Sequence, residues 1–234
     1  MRGTKIRMLR RLIKRAYAGF VVLTMLLAAL VGCATDGKNQ ALVADETQVG
    51  EERSMEPTVV RLEDGRKGFV ITEVSGLDEA SRGDFDRAVA MLKGEDYDEA
   101  IVLLEKVIDQ SPGVTAPYID IAIAYRHIGK PEQAEENLKT ALELFPEHPV
   151  ACNEYGLLYR KTGRFTEARA MYEKAIARFP DYYPAHKNLG ILCDLYLDDS
   201  TCALEHYEIY SKAKPEDEKV KMWIADLRAR LGRN

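Results

Sequence analysis

The sequence predicts an all-α fold of stacked helical hairpins, on three observations. Residues 151–180 fall on a near copy of themselves 34 residues upstream: Tyr159 on Tyr125, Gly163 on Gly129, Ala168 on Ala134, Tyr172 on Leu138, Ala175 on Ala141, Phe179 on Phe145 and Pro180 on Pro146. Agreement of several independent positions on one shift marks an internal repeat. Within that unit, Tyr155, Leu158 and Tyr159 make one apolar helix face, and Ala168, Tyr172, Ala175 and Ile176 make another. Gly163 then marks the end of the first helix and Pro180 the end of the second. A single hairpin of this kind cannot bury both of its faces, so it must stack on neighbours.

The unit resembles a tetratricopeptide repeat. The pattern W-x2-L-G-x2-Y…A-x3-F…P is met by Cys152, Tyr155, Gly156, Tyr159, Ala168, Tyr172 and Pro180, with Cys152 and Tyr155 in place of the usual Trp and Leu. The resemblance implies a right-handed superhelix of about four such hairpins with a C-terminal capping helix. It also implies a concave groove lined by the first helices of successive repeats.

Taken from the N-terminus, residues 1–32 read as an export signal. Arg2, Lys5, Arg7, Arg10, Arg11, Lys14 and Arg15 precede Ala16–Val31, a stretch without charge. Leu30-Val31-Gly32-Cys33 resembles the lipobox of bacterial lipoproteins, which implies lipidation of Cys33 after cleavage behind Gly32. Each buried CH₂ of an acyl chain contributes about 0.8 kcal/mol, so several chains anchor a protein stably. An uncleaved spanning helix is the alternative, but the run is shorter than the ~20 residues such a helix prefers. By resemblance to Gram-negative sorting, Ala34 rather than Asp after the cysteine implies the outer membrane, facing the periplasm; a Gram-positive host would place the protein on the outer face of its single membrane. Residues 33–57 are polar and acidic and read as a flexible tether.

Residues 58–75 carry a β-hairpin signal: Thr58–Leu62 and Gly68–Val74 are rich in β-branched residues and flank Glu63-Asp64-Gly65-Arg66-Lys67. Two strands alone are marginal. The pair is expected to rest on the first repeat; pairing with a partner's strand is the alternative.

The repeat array spans 76–217, with repeats near 81–114, 115–148, 149–182 and 183–217. The first has Ala100, Leu104 and Pro112 in register, and Ser81-x-x-Asp84 is expected to cap its first helix. The second is regular, with Pro131 at the start of its second helix. In the fourth, Ala203, Tyr207 and Pro215 lie 35 rather than 34 residues after their counterparts. The extra residue belongs in the turn Leu197–Thr201. Residues 218–234 hold the capping helix, with an apolar stripe of Val220, Ile224, Leu227 and Leu231 and a partly buried Trp223 beside it.

The chain's hydrophobic (46%) and charged (30%) fractions exclude a disordered chain. Its charge of −5, less the +7 of the first 32 residues, leaves −12 on the body, which argues against nucleic-acid binding. No nucleotide-binding glycine loop, nucleophile elbow or His-Glu-x-x-His is present, so no enzyme activity, cofactor or small-molecule substrate is expected. His127, His148, His186 and His206 are scattered and read as surface or packing residues. Cys193, Cys202 and His206 fall short of the four ligands of a structural zinc. Cys193 and Cys202 bracket the irregular turn, either as a disulfide across it or as two small buried thiols; Cys152 reads as a core residue.

The family's groove positions, carried onto this chain, are Arg82, Phe85, Val89 and Lys93 in the first repeat and Ile119, Asp120, Ile123, Arg126 and His127 in the second. Asn153, Glu154, Leu157, Arg160 and Lys161 follow in the third, and Lys187, Asn188, Ile191 and Asp194 in the fourth. Asn153 and Asn188 are expected to clamp a peptide backbone, and Arg126, Arg160 and Lys187 its acidic groups. The expected function is a membrane-anchored, non-enzymatic scaffold binding a protein or peptide of the cell envelope. Assembly of a pilus, secretion or outer-membrane machine is the leading reading. Recruitment of a cell-wall enzyme or an energy-transducing complex is the alternative.

Overall fold

The computed structural model describes residues 58–61, 69–72 and 76–232. The signal, Cys33 and the tether lie outside the described residues, as does the loop of the hairpin. Strands β1 (Thr58–Arg61) and β2 (Phe69–Thr72) pair antiparallel, with Val59 opposite Ile71 and Val60 opposite Val70. Among the described elements the strands contact each other and no helix, so the expected seat on the first repeat is not formed there.

Four helical hairpins follow: α1 (Glu79–Lys93) with α2 (Tyr97–Gln110), α3 (Thr115–His127) with α4 (Pro131–Leu144), α5 (Pro149–Lys161) with α6 (Phe165–Arg178), and α7 (Tyr183–Leu195) with α8 (Ser200–Ala213). Helix α9 (Glu218–Arg230) packs on α8 and covers the end of the stack with Val220, Ile224 and Leu227. Trp223 is half-buried, its ring 5.3 Å from that of Tyr207. The result is an all-α solenoid.

Small residues set the close approach within each hairpin. A Cβ built on Gly156 would lie 2.4 Å from the ring of Tyr172, and one on Gly190 would lie 2.6 Å from Tyr207. At the equivalent positions the first two repeats carry Ala88 with Leu104 and Ala122 with Leu138, all buried. The chain thus trades a methyl group on one helix for an aromatic ring on the other, keeping the interior filled.

Helix ends follow the capping rules with one shift. Asp78, Asp199 and Asp217 accept hydrogen bonds from the backbone amides of Ser81, Cys202 and Val220, at 2.7, 3.0 and 3.2 Å. The cap of the first helix is therefore Asp78, not the expected Ser81. Helix α1 starts earlier, so Ser81 is buried in its first turn and donates to Gln110 at 3.0 Å, while Asp84 faces Arg87 and Lys106.

Within each hairpin the turn keeps one hydrogen bond. The carbonyls of Met91, Tyr125 and Tyr159 accept from the amides of Asp96, Lys130 and Arg164, five residues on, at 3.0, 2.9 and 2.8 Å. In the fourth repeat the carbonyl of Cys193 accepts from Asp199, six residues on, at 2.9 Å. That is where the extra residue sits. The sulfurs of Cys193 and Cys202 are bonded across this turn, their Cα atoms 6.0 Å apart, and His206 turns instead to His186, with Nδ1 atoms 3.0 Å apart. Cys152 is a free, fully buried thiol.

Candidate protein-binding groove

Successive first helices touch: α1 with α3, α3 with α5, and α5 with α7. Among the described elements, successive second helices do not. The wall therefore curves toward the first helices, and their free faces line its concave side. Four aliphatic residues recur there at the same repeat position, Val89, Ile123, Leu157 and Ile191, all partly buried. Phe85 is partly buried beside them and Ile119 is buried, whereas Arg82, Lys93, His127 and Lys161 are exposed.

The polar groove residues are already engaged with one another. Arg126 donates to Glu154 at 3.0 Å, with 19% and 13% of the two side chains exposed. Among the described residues no acceptor reaches the buried Nε of Arg126. Burial pushes the Glu154 carboxyl up, against the pull of Arg126. Arg160 donates to the backbone carbonyl of Asn188 at 3.3 Å, and Lys161 to that of Arg126 at 2.9 Å. Lys187 pairs with Asp217 at 2.7 Å and lies 4.9 Å from the centre of the Tyr210 ring. Asn188 donates to Asn153 at 2.8 Å, so the two carboxamides form one link between α5 and α7.

Arg126, Arg160 and Lys187 thus act first as staples between neighbouring repeats, and their capacity for a guest's acidic groups is largely taken. Their partners Glu154, Asn188 and Asp217 lie 28, 28 and 30 residues downstream. That is the repeat length less roughly one and a half turns of helix. His127 stacks on Tyr97 at 4.7 Å and shares a hydrogen bond with its hydroxyl, which draws the ring to the rim. Asp194 receives Arg230 from α9 at 2.8 Å.

Asp120 is the exception. It is partly buried, and among the described residues no hydrogen bond or ion pair reaches its carboxylate. Burial and then the nearby Glu154 push its carboxyl up to about 6.

Comparison with known proteins decides the family. Profiles described as tetratricopeptide repeat match residues 119–183 and 154–193, and a second such profile matches residues 91–136. Residues 91–193 belong to the tetratricopeptide repeat family. Among its relatives, the photosystem I assembly protein Ycf3 of Prochlorococcus marinus subsp. pastoris is 27% identical over 139 residues, covering 53% of this chain and 75% of that protein. Ycf3 of Synechococcus sp. strain CC9605 is 35% identical over 92 residues, covering 39% and 48%. A probable peptide N-acetylglucosaminyltransferase of Petunia hybrida, SPINDLY, is 30% identical over 94 residues, 40% of this chain but 10% of its own length. The chain thus spans between a tenth and three quarters of these relatives.

Solved structures agree on the fold. The Pseudomonas aeruginosa pilF structure has a TM-score of 0.61 at 22% identity, covering 66% of this chain and 70% of that one. PilW, a type IV pilus biogenesis factor, scores 0.59 at 23% identity with 67% and 72% covered. MamA scores 0.55 at 24% identity with 66% and 84% covered.

Proposed function

We propose that this chain is a non-enzymatic scaffold, held at a membrane by lipid on Cys33, that grips a protein partner in its concave groove during assembly of a cell-envelope machine. The observation that carries the reading is the aliphatic row Val89, Ile123, Leu157 and Ile191. It runs through all four repeats on the concave face and stays partly open to solvent. A row that served only the core would be covered, as its neighbours Ala122 and Leu158 are. The pilus factors with similar folds, and the photosystem assembly factors with similar sequences, support a role in building a larger assembly. The lipobox-like stretch before Cys33 supports the envelope.

In-cell photocrosslinking tests the reading. A photoreactive residue at Ile123 or Leu157 should trap a discrete partner, while one at exposed Ala170 on the outer helix α6 should not. Equal capture from both faces, or none from the groove, would remove the groove from the function. In the same cells Cys33→Ser should move the protein from the membrane to the soluble fraction. Continued pelleting would mean that an uncleaved apolar segment holds it.

A further inference from the structure

The reading of the groove as the docking face can be taken further, to the chemistry of its occupant. Position 6 of the repeats, counted from Ser81, Thr115, Pro149 and Tyr183, holds Asp86, Asp120, Glu154 and Asn188. Position 9 holds the aliphatic row. Three residues along a helix is roughly 5 Å, so a row of acids runs beside the row of aliphatics through the first three repeats.

The acids and the bases of the groove are not equally in need of partners. Arg126 and Lys187 are neutralised by Glu154 and Asp217, with only the Nε of Arg126 left unpaired among the described residues, and Arg160 and Lys161 are held by backbone carbonyls. Lys161 and Lys93 are exposed, so water solvates them at little cost. Asp120 is partly buried, and among the described residues no donor reaches its carboxylate. A partly buried charge without a partner is less well solvated than an exposed one, and an incoming opposite charge recovers part of that cost. The body's charge of −12 also draws cationic partners from a distance.

We propose that the groove takes an amphipathic helix of a partner protein, with aliphatic residues seated along Val89, Ile123, Leu157 and Ile191 and a basic flank that places lysine or arginine on Asp120. The spacing fits a helix. Packed helices lie about 10 Å apart, so the aliphatic row repeats at that interval along the groove. An α-helix advances about 10.5 Å in seven residues. Apolar residues recurring every seventh position would therefore meet the four aliphatics in turn over about 21 residues. A basic residue at the same interval would meet Asp86 and then Asp120.

The test uses the purified full chain in detergent and two labelled synthetic helices of about 25 residues with the same heptad leucines. One carries lysine on a single flank, the other glutamate there, and both carry serine on the opposite flank. Fluorescence anisotropy should show the lysine helix binding at least tenfold more tightly than the glutamate helix. Asp120→Asn, which keeps the side-chain shape, should cost the lysine helix roughly tenfold and leave the glutamate helix no weaker. Asp120→Lys should invert the preference, with circular dichroism confirming that both variants stay helical. Equal binding of the two helices, competed away by Leu157→Asp, would overturn the basic flank while leaving the groove as the docking face. Binding of neither, or binding untouched by Leu157→Asp, would overturn both.

Discussion

The two inner repeats and the two outer ones solve the same turn with different residues. In the inner pair, the left-handed position between the helices is glycine: Gly129 at φ 74° and Gly163 at φ 79°. In the outer pair, Glu95 at φ 65° and Asp198 at φ 53° occupy the equivalent place. A side chain there crowds the backbone, and glycine avoids that crowding. The same carbonyl is satisfied in all four, so the turn geometry belongs to the fold rather than to the glycine. The outer repeats also differ from each other. The fourth is tied down by the Cys193–Cys202 disulfide, by Lys187–Asp217 and by Arg230–Asp194. At the other end, Ala88, Ile101 and Leu104 form a core with Ile121 and Ala124 that is separate from the main one. No charged staple joins α1 to α3 among the described residues. In a stack where each hairpin leans only on its neighbours, such an end opens first.

The largest effect is expected at the fourth repeat. Removing the disulfide with Cys193→Ser and Cys202→Ser frees a short loop, which chain entropy values at about 3 kcal/mol. Denaturant titration should show that loss, and amide exchange should place it in α7, α8 and α9. Exchange that rises first in α1 and α2 would mean that the ends are not independent. A smaller loss, about 2 kcal/mol, is expected from Gly156→Ala, because the new methyl must displace the Tyr172 ring. Adding Tyr172→Leu recreates the alanine–leucine pair of the second repeat, Ala122 with Leu138, and should recover most of it. Failure to recover would mean that the inner repeats are not interchangeable at this contact, whatever their sequences share.

The periodicity disclosed the hairpins, the capping helix and the position of the inserted residue because each depends on spacing within about forty residues. The groove was legible as a set of positions, but its electrostatics were not. Arg126 and Lys187 looked free because their partners, Glu154 and Asp217, belong to the next unit along the stack. Asp120 gave no signal of its own in the sequence. Its distinction is that no donor reaches it, which depends on where every neighbour points. The misplaced first cap has a similar origin. Ser81-x-x-Asp84 has the right spacing, but Asp78-x-x-Ser81 offers the amide of Ser81 an acceptor one turn earlier, and it prevails.

The smallest effect concerns the turn of the first repeat. Gly94 looks like the natural terminator of α1, yet it is right-handed at φ −82°, and the left-handed residue is Glu95. The hydrogen bond from the amide of Asp96 to the carbonyl of Met91 fixes that choice, because it is the five-residue bond that the second and third hairpins also make. Glu95→Gly removes the side-chain crowding and restores the residue type of the inner repeats. It also gives the unfolded chain more freedom, which offsets part of the gain. A net stabilisation of about 0.5–1 kcal/mol follows, read as slower amide exchange in α1 and α2 with α5 and α6 unchanged. Gly94→Ala adds the complementary measurement. Its φ suits alanine, although the new Cβ would sit 3.1 Å from the Asp96 carboxylate, which must shift slightly. A larger loss from Gly94→Ala than gain from Glu95→Gly would show that the terminal turn is limited by space rather than by backbone handedness.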